Sequence, residues 1–157
     1  MHIAEINIAR MQAPLDADSM KEFRDFLDPV NALAESSPGF VWRYEEGAGV
    51  QEKQPAPPFG DGLIIVNLSV WESVEQLRDF TFQTVHSYFL RKRGRWFTGL
   101  GHPQVACWWV AKGARPTVAE AKAKLELLQR IGTSEAAFAL SDNYPASIKG
   151  IGKAADA

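Results

Sequence analysis

The spacing of apolar residues along this chain switches between the two-residue step of a strand and the three- and four-residue steps of a helix, in the order strand, helix, strand, strand, helix, strand. The clearest strand covers residues 63–71. Ile64, Val66, Leu68 and Val70 share one face there, while Leu63, Ile65, Asn67, Ser69 and Trp71 share the other, so one face is apolar and the other carries polar groups. Residues 3–11 read as the first strand, stopped by Pro14. Residues 40–45 read as the second, with Phe40, Trp42 and Tyr44 on a buried side opposite Val41, Arg43 and Glu45. Residues 105–110 are apolar on both faces and read as the fourth.

Between the first two strands, Met20, Phe23, Leu27, Val30 and Ala34 repeat at helical steps behind a capping box of Ser19 and Glu22. Pro29 interrupts that stripe and predicts a kink or restart, with Asp28 as a local cap. Ser73 and Gln76 box the start of a second helix through Val74, Leu77 and Phe80. Its pattern slips near Phe82 and resumes through His86, Leu90, Arg93 and Phe97. Pro116, Thr117 and Glu120 open a last helix that Gly132 ends. Right-handed crossovers in this order give a ferredoxin-like βαββαβ α+β domain: a four-stranded antiparallel sheet with both main helices on one face, plus an extra C-terminal helix. The expected domain spans residues 1–132, residues 133–157 read as a partly flexible tail, and the Gly- and Pro-rich residues 47–62 read as a surface loop and candidate lid. Large apolar residues such as Trp42 and Trp109 belong to whichever face the helices leave open, and a second copy is the common way to cover such a face. The expected assembly is therefore a homodimer whose sheets face each other, a dimeric α/β barrel.

Four stretches also carry a family resemblance: Asn7-Ile8-Ala9-Arg10, Ser37-Pro38-Gly39-Phe40-Val41-Trp42-Arg43, Val66-Asn67-Leu68-Ser69-Val70-Trp71-Glu72-Ser73, and Trp108-Trp109-Val110 with Arg115-Pro116-Thr117. Over residues 3–130 the chain resembles the DUF3291 family, a domain of unknown function in the dimeric α/β barrel superfamily. The resemblance implies the fold and the dimer and brings no established activity. Val70-Trp71-Glu72-Ser73 is also similar to a strand end of the antibiotic-biosynthesis monooxygenases and their haem-degrading relatives, which oxidise bound aromatics or haem without a flavin. In the haem-degrading members an Asn on the first strand, a Trp on the second helix and a later His surround the iron. Asn7 and His86 stand at matching places, whereas Phe80 replaces the Trp and the segment before His86 is shorter.

Charge and composition narrow the function classes. With 17 basic and 19 acidic residues the net charge is −2, which supplies no broad positive field for nucleic acid or an anionic membrane. The longest apolar run falls far short of the ~20 residues of a membrane span. The single Cys107 forms no internal disulfide and the first residues carry no secretory pattern, so a cytoplasmic protein is expected. His2, His86 and His102 are scattered, and neither a paired-Cys metal motif nor a Gly-rich phosphate loop is present, so residue spacing calls for no cofactor and no metal. Haem enters through the resemblance alone, with His86 as its iron ligand.

The candidate site gathers on the polar face of the sheet. His86 is the candidate proton acceptor, because an imidazole titrates near neutrality. Asn7 is its catalytic partner, orienting a ligand oxygen, although capping a ladder end or contacting Arg43 is equally open to it. Asn67 and Ser69 supply hydrogen bonds, Trp71 and Phe80 an aromatic surface, and Arg43 a charge that calls either for an anionic ligand or for a protein partner such as Glu5 or Glu45. Arg93 poses the same choice. Trp96, Trp108 and Trp109 read as packing, and Arg91 to Arg95 as a solvated helix face. The expected function is binding of a small apolar or aromatic ligand with monooxygenase-like oxidation. A non-catalytic binding or accessory dimer using the same cavity is the other reading.

Overall fold

His2–Met11, rich in β-branched and small residues, forms the central strand β1 of an open antiparallel sheet in an α+β protein; the computed structural model describes residues 1–45, 57–83 and 92–142. The other strands are β2 (Phe40–Arg43), β3 (Ile64–Trp71), β4 (Phe97–Thr98) and β5 (Val105–Val110). β3 pairs along one side of β1, from Ile3 opposite Trp71 to Arg10 opposite Ile64. On the other side β5 pairs from His2 opposite Val110 to Asn7 opposite Val105, and β4 continues at Arg10 and Met11. β2 lies outside β3, so the long strands run β2-β3-β1-β5, and β4 is one strand more than the four expected. Phe97 belongs to this strand rather than to the helical run its spacing suggested; residues 92–96 are helical, and pairing with Met11 then takes over.

The helices are α1 (Lys21–Glu35), α2 (Val74–Gln83) and α3 (Val118–Ile131). α1 and α2 cover the face bearing Ile3, Glu5, Asn7 and Ala9, where Ala34 and Leu77 pack with Ile3, Trp71 and Cys107. α3 covers the opposite face. Its Ala121, Leu125 and Leu128 meet Ala4, Ile6, Ile8, Leu68, Val70, Ala106 and Trp108. The face expected to await a second copy is thus already half closed, because the apolar stripe of α3 finds its partner on β1 and β5. Trp42, Tyr44, Ile64 and Val66 remain half-buried at the β2–β3 end.

Three local expectations change. Phe40 pairs with Trp71 and Trp42 with Val70, and the register shifts between them, so a bulge at Val41 sends Phe40 and Trp42 to opposite faces and brings Arg43 onto the face of Ser69. Ser19 does not box α1. It lies inside a 3-10 turn, Asp18–Met20, which runs directly into the helix without a side-chain cap, and Glu22 instead pairs with Lys92. α1 also continues unbroken through Pro29, which lies on the exposed side together with Asp25, so water can solvate the carbonyl that loses its N–H partner. The later caps follow the sequence more closely. Thr117 and Glu120 form the full reciprocal box, Gly132 closes α3 at φ 76°, and Ser73 accepts from the Gln76 N–H.

Beyond α3 the chain returns to the outer edge of β5. Cys107 and Phe138 exchange both backbone hydrogen bonds, at 2.7 and 2.9 Å, and Ala137, Phe138 and Leu140 are buried. Trp96 and Trp108 are buried as packing residues, and half-buried Trp109 packs against Phe138. No helix among the described residues is long and apolar enough to cross a membrane.

Candidate functional site

The strand alternation that buries Ile3 and Trp71 also turns Glu5, Asn7, Asn67 and Ser69 toward α1, and there the helix and the sheet border a half-open cavity of about 450 Å³. Its floor is a cross-strand grid in which Glu5 lies opposite Ser69 and Asn7 opposite Asn67. Phe23, Leu27 and Val30 of α1 form an apolar wall; Phe40 and Phe80 stand at one end, and Phe97, Arg93 and Gln104 at the other. The volume lies within the range of small-molecule sites, and so does the pattern of apolar walls with a few convergent polar groups.

Asn7, Arg43, Asn67, Ser69, Trp71 and Phe80, each singled out from the sequence, all line this one cavity. His86 lies outside the described residues. Their chemical settings differ. Trp71 is 1% exposed, stacked on Phe80 with centroids 5.0 Å apart and met edge-on by Phe40 at 5.5 Å, so its ring belongs to the wall. Its Nε1–H donates to Ser69 Oγ at 3.0 Å, which occupies a lone pair and leaves the Ser69 hydroxyl hydrogen to donate elsewhere. Asn67 is exposed on the cavity floor, and its amide has no hydrogen-bond partner among the described residues. Arg43 is paired with protein carboxylates, Glu35 at 2.7 Å and Glu45 at 3.1 Å. Arg93 is exposed and donates to the neutral Gln104 Oε1 at 3.0 Å.

The residue that sequence reasoning passed over is Glu5. It is only 8% exposed, lies on the cavity floor, and accepts from Asn7 Nδ2 at 2.8 Å through Oε1. Burial pushes its carboxyl pKa above the ordinary 4.5, and the opposing pull of the Asn7 hydrogen bond is smaller. An acidic group so placed holds its proton closer to neutrality than a surface glutamate and can exchange it with a bound molecule. The signal was the step from Glu5 to Asn7, two polar residues on the same strand face as Ile3 and Ala9. Cys107, opposite Glu5 on β5, has its thiol pKa driven up by burial and by the neighbouring carboxyl, which leaves it unreactive.

No cluster of His, Cys, Asp or Glu among the described residues could hold a metal ion. No described residue lining the cavity is a His, Cys, Met or Tyr, the side chains that hold haem iron. The described part of the site therefore does not fit haem, and no step below passes through it.

No curated protein and no solved structure matches the chain. The family model for a domain of unknown function, DUF3291, matches residues 2–152, and the chain belongs to that family.

Proposed function

We propose that this protein binds a small, largely apolar molecule between α1 and the sheet, and that Glu5 exchanges a proton with it. The observation that supports this reading is the buried Glu5 carboxyl, braced by Asn7 on the floor of a cavity whose α1 wall is apolar. Ser69, Asn7 and Asn67 hold the polar substituents of the ligand, and the phenyl rings of Phe40 and Phe80 flank its body. In the enzymatic form of the reading the reaction is monooxygenase-like. The ionised Glu5, with His86 as a second proton acceptor, takes a proton from the ligand, and the deprotonated ligand passes its electrons to dioxygen without an organic cofactor. One oxygen atom enters the ligand and the other leaves as water with the ligand's two hydrogens. A non-catalytic binding or accessory protein uses the same grid without the second step, with the exposed Asn67 amide offering a donor and an acceptor to a ligand.

The fold in this proposal is ferredoxin-like and the working unit a cytoplasmic homodimer, in which a second copy covers Trp42, Tyr44, Ile64 and Val66, the half of the outer sheet face that α3 leaves less buried. Native mass spectrometry of the purified protein identifies the co-purified molecule. Glu5→Gln is then expected to hold it more weakly and to abolish its oxidation. Unchanged turnover in Glu5→Gln removes Glu5 from the chemistry, and retention without turnover in either protein leaves the binding reading alone.

A further inference from the structure

We propose that the ligand of this cavity is a cation, a small primary or secondary amine on an apolar body, whose ammonium group sits against the Glu5 carboxylate. This rests on the reading that the cavity binds a small molecule, and it names the chemical class of that molecule. Ionisable side chains buried to this degree are normally paired, because an isolated charge loses its hydration without compensation. Glu5 has one hydrogen bond, from Asn7, and no cationic partner among the described residues. Across the strands it faces Ser69 and Cys107, neither of which can carry positive charge.

The charged groups on the same cavity do not fill the role. Arg43 is held by Glu35 and Glu45, and Arg93 lies exposed at the far end with Gln104. With no cation beside it among the described residues, Glu5 ionises against the charge of the ligand. The surroundings suit an ammonium ion. Phe23, Phe40, Phe80 and Phe97 line the walls, and aromatic faces attract cations. With Asn7 Nδ2 turned to Glu5, the Asn7 Oδ1 and the Asn67 amide oxygen, neither hydrogen-bonded among the described residues, remain as acceptors for the other ammonium hydrogens. An anionic ligand would place a second negative charge beside Glu5, and a neutral one would leave the carboxyl as it is.

Burial keeps the empty site's carboxyl protonated further up the pH scale, so seating a cation releases that proton. Isothermal titration of the full-length protein with phenethylamine, phenethyl alcohol and hydrocinnamate, three ligands sharing one phenyl body, tests the inference. The amine is expected to bind about tenfold more tightly than the alcohol, with hydrocinnamate weakest, a gap set by one charge-assisted hydrogen bond. Repeating the amine titration in two buffers of different ionisation heat is expected to show proton release. In Glu5→Gln, which keeps the side-chain shape, the amine preference is lost while the alcohol still binds. Equal or tighter binding of the alcohol or of hydrocinnamate by the unmodified protein overturns the countercharge and leaves the small-molecule reading standing, without recourse to the variant. Binding of none of the three overturns both.

Discussion

Replacing Glu5 by Gln should change how the stability of this protein depends on pH, and the sign follows from where the carboxyl sits. The folded state raises the Glu5 pKa above 4.5 by burying it, so the folded chain keeps its proton in a range where the unfolded chain has lost it. Below 4.5 both states are protonated and Glu5 costs nothing. As pH rises from there to the folded-state pKa, wild-type stability falls relative to Glu5→Gln at up to about 1.4 kcal/mol per pH unit, the limit for one proton. Above the folded-state pKa the difference levels off at about 1.4 kcal/mol for each unit by which burial has raised it. Gln can still accept from Asn7 Nδ2 through its amide oxygen, so the bond of 2.8 Å is retained and only the titration is removed. Urea denaturation of both proteins across the acidic to neutral range, with the difference in unfolding free energy plotted against pH, measures the curve. A difference that is flat, or that grows in favour of wild type as pH rises, refutes the buried, cation-free Glu5 on which the site rests.

Two further outcomes are expected. Phe138→Ala removes a ring that is 1% exposed and packs with Trp109 and Cys107, and should lower stability by about 3–5 kcal/mol in chemical denaturation; a cost near zero would detach the segment after α3 from the core. Haemin titration should give no saturable Soret shift, since the described cavity lining lacks an iron ligand, and a shift abolished by His86→Ala would restore the haem reading that the sequence resemblance suggests.

What could be read from the sequence was whatever a segment decides by itself. The alternation of residues 63–71 decides which side chains of β3 face the cavity, and the Thr117 box needs only its own turn of chain. The bulge at Val41 could not be read in this way. Two residues of β2 sit against one step of β3, and that mismatch is set by the partner strand and by Gly39, whose φ of 84° and close approach to Gln76 fix how the strand is entered. The helical spacing of Ala121, Leu125 and Leu128 requires α3 to pack, yet it carries no information about which sheet face receives it. Glu5 was overlooked for a related reason. A glutamate in a strand ordinarily points to water, and its burial here arises from elements distant in the chain, α1 above it and β3 and β5 beside it.

The only sulfhydryl of the chain is buried beside the returning segment that pairs with β5, where Cys107 and Phe138 share two backbone hydrogen bonds. An alkylating reagent can reach that buried sulfur only after a local opening, of which detachment of this segment is one, or after the whole molecule has opened. Labelling kinetics at increasing denaturant therefore separate these events: a rate insensitive to denaturant reports local detachment, and a rate that climbs with the global transition reports unfolding. The protein carries its own clock for the seam that closes its sheet.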